Sequence, residues 1–452
     1  MGKDIKNKNI LELSWPIFVS AFLGIMLGNV DTAMLSQYNE NAVGSVGNAN
    51  TILGFLTLTF TIVSSATGIL TAQYLGAKIT SKLNQVYTVS MLFNLVLSVF
   101  ISLILYFLNE PIMALLQVPP EIQPDASIYM QIVGGLIFAQ SIFSTFDQIF
   151  RNNGKTKIGM VLALLMNVIN LVGDYCVLYG PLKVFNFGVA GVAMVTSISR
   201  IAMVIVAIIY FIFKIDGSIS VKYLRPFPKD ILKKLLGLGI PTAGENLCYN
   251  LSQITIVAIV NSICLMQNST VPLNTRVYCN LLCGFTYLVP MALALGTQII
   301  VGHSVGGNDY DFAYKRVNKS LRISLIISIS MAVINCLLSP FTLGIFSNNS
   351  AVIELGSQVM FIGIFLEFGR TTNIVIINSM KAAGDVKFPT ILAMCSMWGI
   401  SVLLSFVLGI VCGLGLNGVW IAMAADEIFR GVVVAVRWKR GSWRGKRVVS
   451  ES

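Results

Sequence analysis

Twelve nearly unbroken apolar runs decide what this chain can fold into. They lie at roughly 13–36, 48–75, 86–108, 127–149, 158–179, 189–213, 236–264, 277–302, 321–343, 352–378, 389–413 and 416–436. Each is long enough for an α-helix to cross a bilayer, which takes about 20 residues. A transmembrane barrel would instead show strands of about ten residues with alternating polarity. Only 11% of the residues are charged and 55% are hydrophobic, whereas a soluble chain carries about 25% charge. The expected fold class is all-α: a polytopic membrane protein with twelve transmembrane helices.

The net charge of +11 would suit a nucleic-acid binder, but the placement of the bases argues otherwise. Twenty-six of the 31 lie on one side of the spans. They are Lys3, Lys6, Lys8, Lys78, Lys82, Arg151, Lys155, Lys157, six from Lys214 to Lys234, Lys315, Arg316, Lys319, Arg322, Lys381, Lys387, and six from Arg437 to Arg447. Lys183 and Arg276 lie opposite, and Arg200, Arg370 and Arg430 fall inside spans. By the positive-inside rule this places both termini in the cytoplasm and explains the basic balance without nucleic acid. The lead MGKDIKNKN enters a helix too long for a cleavable signal.

The chain repeats itself at about half its length. IFRNNGKTKIGM (149–160) resembles SMKAAGDVKFPT (379–390), and ATGILTAQYLGAK (66–78) matches GTQIIVGHSVGGN (296–308), both at an offset of 230. GVAMVTSISR (191–200) matches GVWIAMAADE (418–427) at 227, and Pro16 and Pro241 stand 225 apart. Two six-helix bundles are therefore expected, 1–214 and 236–440, related by a pseudo-two-fold along the membrane normal because six spans restore the same orientation. Residues 215–235 are expected to form a cytoplasmic linker whose amphipathic PKDILKKLL lies on the cytoplasmic face, and 441–452 a basic cytoplasmic tail.

Seven acids lie within spans: Asp31, Asp147, Asp174, Glu245, Glu367, Asp426 and Glu427. Facing lipid they would cost on the order of 20 kcal/mol, so they must face an interior. Asp31 has no base within a turn. Asn170 and Asp174 are i, i+4 on the fifth span, and Asp174 falls at the depth of Asp31. Two carboxylates and an amide at one depth either trap a proton or offer oxygen to a hard cation; a hydrogen-bonded packing cluster is the bland alternative. Thr196 on the sixth span can add a hydroxyl or simply pack.

In the second half Glu367/Arg370 and Asp426/Glu427/Arg430 have the spacing of intrahelical pairs and equally suit a substrate cavity. Glu245, four residues after Pro241 with no base nearby, reads as a free carboxylate, and Asp147 as a partner of Arg151. Eight scattered Cys, including Cys279 and Cys283 one turn apart, form no metal motif and read as packing residues. Gly154-Lys155-Thr156 lacks the first glycine of a phosphate loop. The single histidine, His303, sits at a helix end, and no catalytic pairing is visible, so no enzyme, cofactor or metal is expected.

These residues resemble the multidrug and toxic compound extrusion (MATE) family over essentially the whole chain. The likeness rests on Pro16 followed by NVDT (29–32), TAQYLGA, FRNNGKTK, the N-x3-D of the fifth span, LEFGRTTNIVIINSMKAAGDVKFP and GVWIAMAADEIFR. It implies twelve helices in two bundles forming a V, and expulsion of substrate against inward H+ or Na+. It also implies a cation site at Asp31, Asn170 and Asp174. Glu245 matches the face, not the register, of an acid in one branch of the family. The expectation is a secondary antiporter of the bacterial inner membrane, a monomer exporting small amphipathic, cationic compounds, with Pro16 and Pro241 as hinges. A flippase of a lipid-linked precursor is the alternative; it would want a basic cavity, and both halves are acidic inside.

Overall fold

The computed structural model describes residues 5, 8–215 and 217–449. Lys3 and Lys6 of the basic N-terminus, Asp216 of the linker and tail residues 450–452 lie outside the described residues. All twelve apolar runs are helical. The first six are α1 (Ile10–Tyr38), α2 (Glu40–Gly76), α3 (Leu83–Phe107), α4 (Gln123–Gly134 with Phe138–Asn152, bent by 46°), α5 (Thr156–Leu178) and α6 (Gly188–Lys214). The next six are α7 (Lys229–Met266), α8 (Val271–Gly306), α9 (Tyr310–Leu337), α10 (Ser350–Ala382), α11 (Lys387–Val411) and α12 (Gly415–Lys439). By length and apolarity α1 to α11 qualify as spans, counting the bent α4 as one. α12 carries Asp426, Glu427 and Arg430 in mid-helix, which is why composition alone passes it over.

Hydroxyl-bearing residues sit inside these helices because they bond backward to their own backbone. In α2, Thr57, Thr59, Thr61, Ser64 and Thr67 each donate to a carbonyl three or four residues earlier, at 2.6–2.8 Å.

The chain divides into two compact units: Val19–Ile240, and the residues through Phe18 together with those from Pro241 onward. The divisions fall close to Pro16 and at Pro241. The first turns of α1 therefore belong with α8, where Leu13 and Ile17 pack on Ala292, Ile299 and Ile300. The first turns of α7 belong with the N-terminal unit, and Lys234 lies over the Tyr74 ring. PKDILKKLL thus begins α7, with Ile231, Leu235 and Leu238 buried. The linker is stapled to α3 rather than loose: Ser218 N–H donates to Asn84 Oδ1 (3.0 Å) and Asn84 Nδ2 to the Tyr223 hydroxyl (3.2 Å).

The described part of the tail is packed as well. Trp443 is fully buried and stacks on Trp438 at 4.1 Å, while Arg437 makes a bidentate pair with Asp385 at 2.8 and 3.2 Å.

The repeat is visible in the backbone. Gly154 and Gly384 both adopt positive φ (71° and 95°) after α4 and α10, a conformation that glycine reaches without strain. Each closes the same pair of bonds: Gly154 to Arg151 O and Lys155 to Phe150 O, Gly384 to Lys381 O and Asp385 to Met380 O. This is the Schellman arrangement. Lys78 and Asn308 (φ 61° and 60°) end α2 and α8 in the same way.

Candidate functional site

In the N-terminal unit the site begins with two glycines. A Cβ on Gly173 would strike Val195, and one on Gly191 would strike Val177, so α5 and α6 close tightly. That approach lets Asn170 Nδ2 donate to Thr196 Oγ1 at 3.2 Å, while the Thr196 hydroxyl donates to Val192 O at 3.0 Å. One turn beyond Asn170, Asp174 is 3% exposed. The Tyr179 hydroxyl donates to Met34 O at 2.6 Å and ties α5 to α1 one turn from Asp31.

Asp31 and Asp174 lie within electrostatic reach of one another. In both, Oδ1 is buried without a hydrogen-bond partner. A buried carboxylate oxygen normally finds a donor. Among the described residues no cluster of three His, Cys, Asp or Glu is assembled.

Beside these acids is a cavity of about 450 Å³ lined by Asn50, Thr57, Gln140, Asn167, Asn170, Thr196, Ser199 and Arg200 with a few apolar residues. Tyr129, on α4, is buried in the same unit. Sequence reasoning missed Asn50, Tyr129, Gln140 and Asn167. Amides and a phenol spread over three helices have no local spacing to mark them.

In the C-terminal unit Glu245 is not free. It pairs with Lys381 Nζ at 2.8 Å and accepts from Thr390 Oγ1 at 3.0 Å. Lys381, read from sequence as a loop base, lies in the last turn of α10 and is buried. The partners are 136 residues apart, which no window of sequence spacing reveals.

The intrahelical pairs form, with Glu367–Arg370 at 2.6 Å, Asp426–Arg430 at 2.7 Å and Glu427–Arg430 at 2.9 Å. They are also knitted between helices. Asn373 on α10 donates to both Glu427 O and Oε2 at 2.7 Å, and Ser396 on α11 donates to Asp426. The four acids are thus each paired with a base, in three separate groups. Asp147–Arg151 (2.8 Å) forms as its spacing suggests, and Cys279 is packed in the core of this unit's α7, α8, α10 and α12.

Pro16 and Pro241 both lie inside unbroken helices. Each removes one backbone donor and so weakens the helix locally.

The MatE family model matches residues 16–176 and 241–407 of this chain. An uncharacterized transporter, YisQ of Bacillus subtilis, is 38% identical over 97% of this chain and 95% of its own length. A probable multidrug resistance protein, NorM of Thermotoga maritima, is 25% identical over 98% and 94%. A crystal structure described as MATE in the bent conformation shares the fold, with a TM-score of 0.87 at 17% identity, covering 99% of this chain and 98% of that one.

Proposed function

This chain belongs to the MatE family of membrane transporters, and on that footing we propose that it is a secondary antiporter exporting amphipathic, cationic organic compounds in exchange for H+ or Na+. It is a multi-pass transporter and not an enzyme. The observation carrying the antiport reading is that half-buried Asp31 and buried Asp174 each have a buried oxygen without a hydrogen-bond partner among the described residues. One proton or sodium ion relieves their repulsion, and α1 then bends near Pro16 and narrows the N-terminal cavity. Coupling follows if the ion binds the straight and bent states differently. Membrane potential adds about 2.3 kcal/mol per charge per 100 mV. We place the protein in the bacterial inner membrane as a monomer with cytoplasmic termini and no cofactor. The relatives' multidrug resistance names support the substrate class.

A flippase of a lipid-linked precursor would gather several bases in one chamber. Here Arg200 is the base lining the N-terminal cavity, and Arg370, Arg430 and Lys381 are held by acids. Proteoliposomes loaded with ethidium test the proposal under separately imposed proton and sodium gradients. One gradient should drive efflux, and Asp31→Asn should abolish it at normal expression; undiminished efflux by the variant contradicts the scheme.

A further inference from the structure

Arg200 stands in mid-span of α6 and lines the 450 Å³ cavity. Its situation differs from that of Arg370 and Arg430, each of which holds a carboxylate at 2.6–2.9 Å. Among the described residues no carboxylate oxygen lies within ion-pair distance of the Arg200 guanidinium. Around it on the cavity wall are Asn50, Thr57, Gln140, Asn167 and Ser199. These side chains can donate hydrogen bonds but carry no negative charge. An intramembrane base without an acid marks a functional site by default. A guanidinium fork flanked by amide and hydroxyl donors matches the geometry of a planar oxyanion.

From this we infer that the cavity is an oxyanion subsite: Arg200 receives a carboxylate on the transported compound, whose cationic and aromatic body occupies the rest of the space. The volume suits a drug-sized molecule. The preferred cargo is then a zwitterionic amphipath rather than a simple cation. This deepens the efflux reading and rests on it. Asn170 and Thr196 line the cavity and also neighbour Asp174, so the carboxylate and the coupling ion occupy adjoining ends of one polar tract. The cargo's cationic body lies toward the acids and competes there with the ion.

Two dyes that differ in one group test this. Rhodamine 110 carries a free carboxylate, and rhodamine 123 is its methyl ester. Fluorescence titration of the purified full chain should show rhodamine 110 bound at least about tenfold more tightly than the ester. Arg200→Gln should remove that preference while changing ester affinity less than about twofold; Arg200→Lys should keep most of it. Equal affinity of the wild type for the two dyes, failure to bind rhodamine 110, or equal losses of both dyes in Arg200→Gln overturns the subsite. The wild-type comparison decides even if the glutamine variant misfolds. Ethidium efflux measured alongside separates the two readings: gradient-driven efflux without carboxylate preference sinks the subsite alone, and no gradient-driven efflux of ethidium or either dye sinks the antiport reading.

Discussion

Asp31 and Asp174 each bury an oxygen that has no hydrogen-bond partner among the described residues, a cost of about 1–3 kcal/mol per group. Asp31→Asn should therefore raise the melting temperature of the detergent-purified protein while transport is lost; a fall in melting temperature would show that the acid is structural. Glu245 predicts the opposite behaviour. Glu245→Gln leaves Lys381 charged and buried beside a neutral amide, and breaking a buried pair from one side costs about 3–5 kcal/mol. Thermal melts should show that loss, and adding Lys381→Met should recover much of it. The difference between these acids was half legible. The lack of a local base near Asp31 is readable from the chain, but the same reasoning failed for Glu245 because its base arrives through a fold-level contact.

Helix contacts set the geometry of the proposed cation site: Gly173 and Gly191 let α5 and α6 close on Val195 and Val177. Gly173→Ala would drive a methyl into Val195, parting α5 from α6 and lengthening the Asn170–Thr196 bond. Overpacking of this kind costs about 1–3 kcal/mol, and Val195→Ala should restore both stability and transport in the double variant. A Gly173→Ala protein with unaltered melting and transport would show that the close approach is dispensable. Pro16 acts at this scale too. Pro16→Ala returns the missing donor to α1, so transport should slow while cation affinity measured at equilibrium stays within about twofold; unchanged transport rates would remove the hinge. Element positions were the most readable part of the sequence, because a bilayer imposes length and apolarity on every span. The bend in α4 and the continuation of PKDILKKLL into α7 were not readable, since both depend on packing between distant segments.

At the scale of the molecule, duplication is written twice, in the sequence offsets near 230 and in the matching left-handed turns at Gly154 and Gly384. The two copies have diverged in chemistry. Among the described residues, Asp31 and Asp174 each keep a buried oxygen without a hydrogen-bond partner and Arg200 has no acid within ion-pair distance, whereas Glu245, Glu367, Asp426 and Glu427 are each paired with a base. Sequence counting gave both halves the same acidic surplus and so hid this difference, which lies in the pairing rather than the composition. The central claim is that Asp31 and Asp174 together hold one exchangeable cation that competes with cargo. Its most direct test is to measure protons and radioactive sodium released when ethidium binds the purified protein. The wild type should release about one cation per chain, and Asp31→Asn and Asp174→Asn should release none. Undiminished release by the double variant would contradict the account.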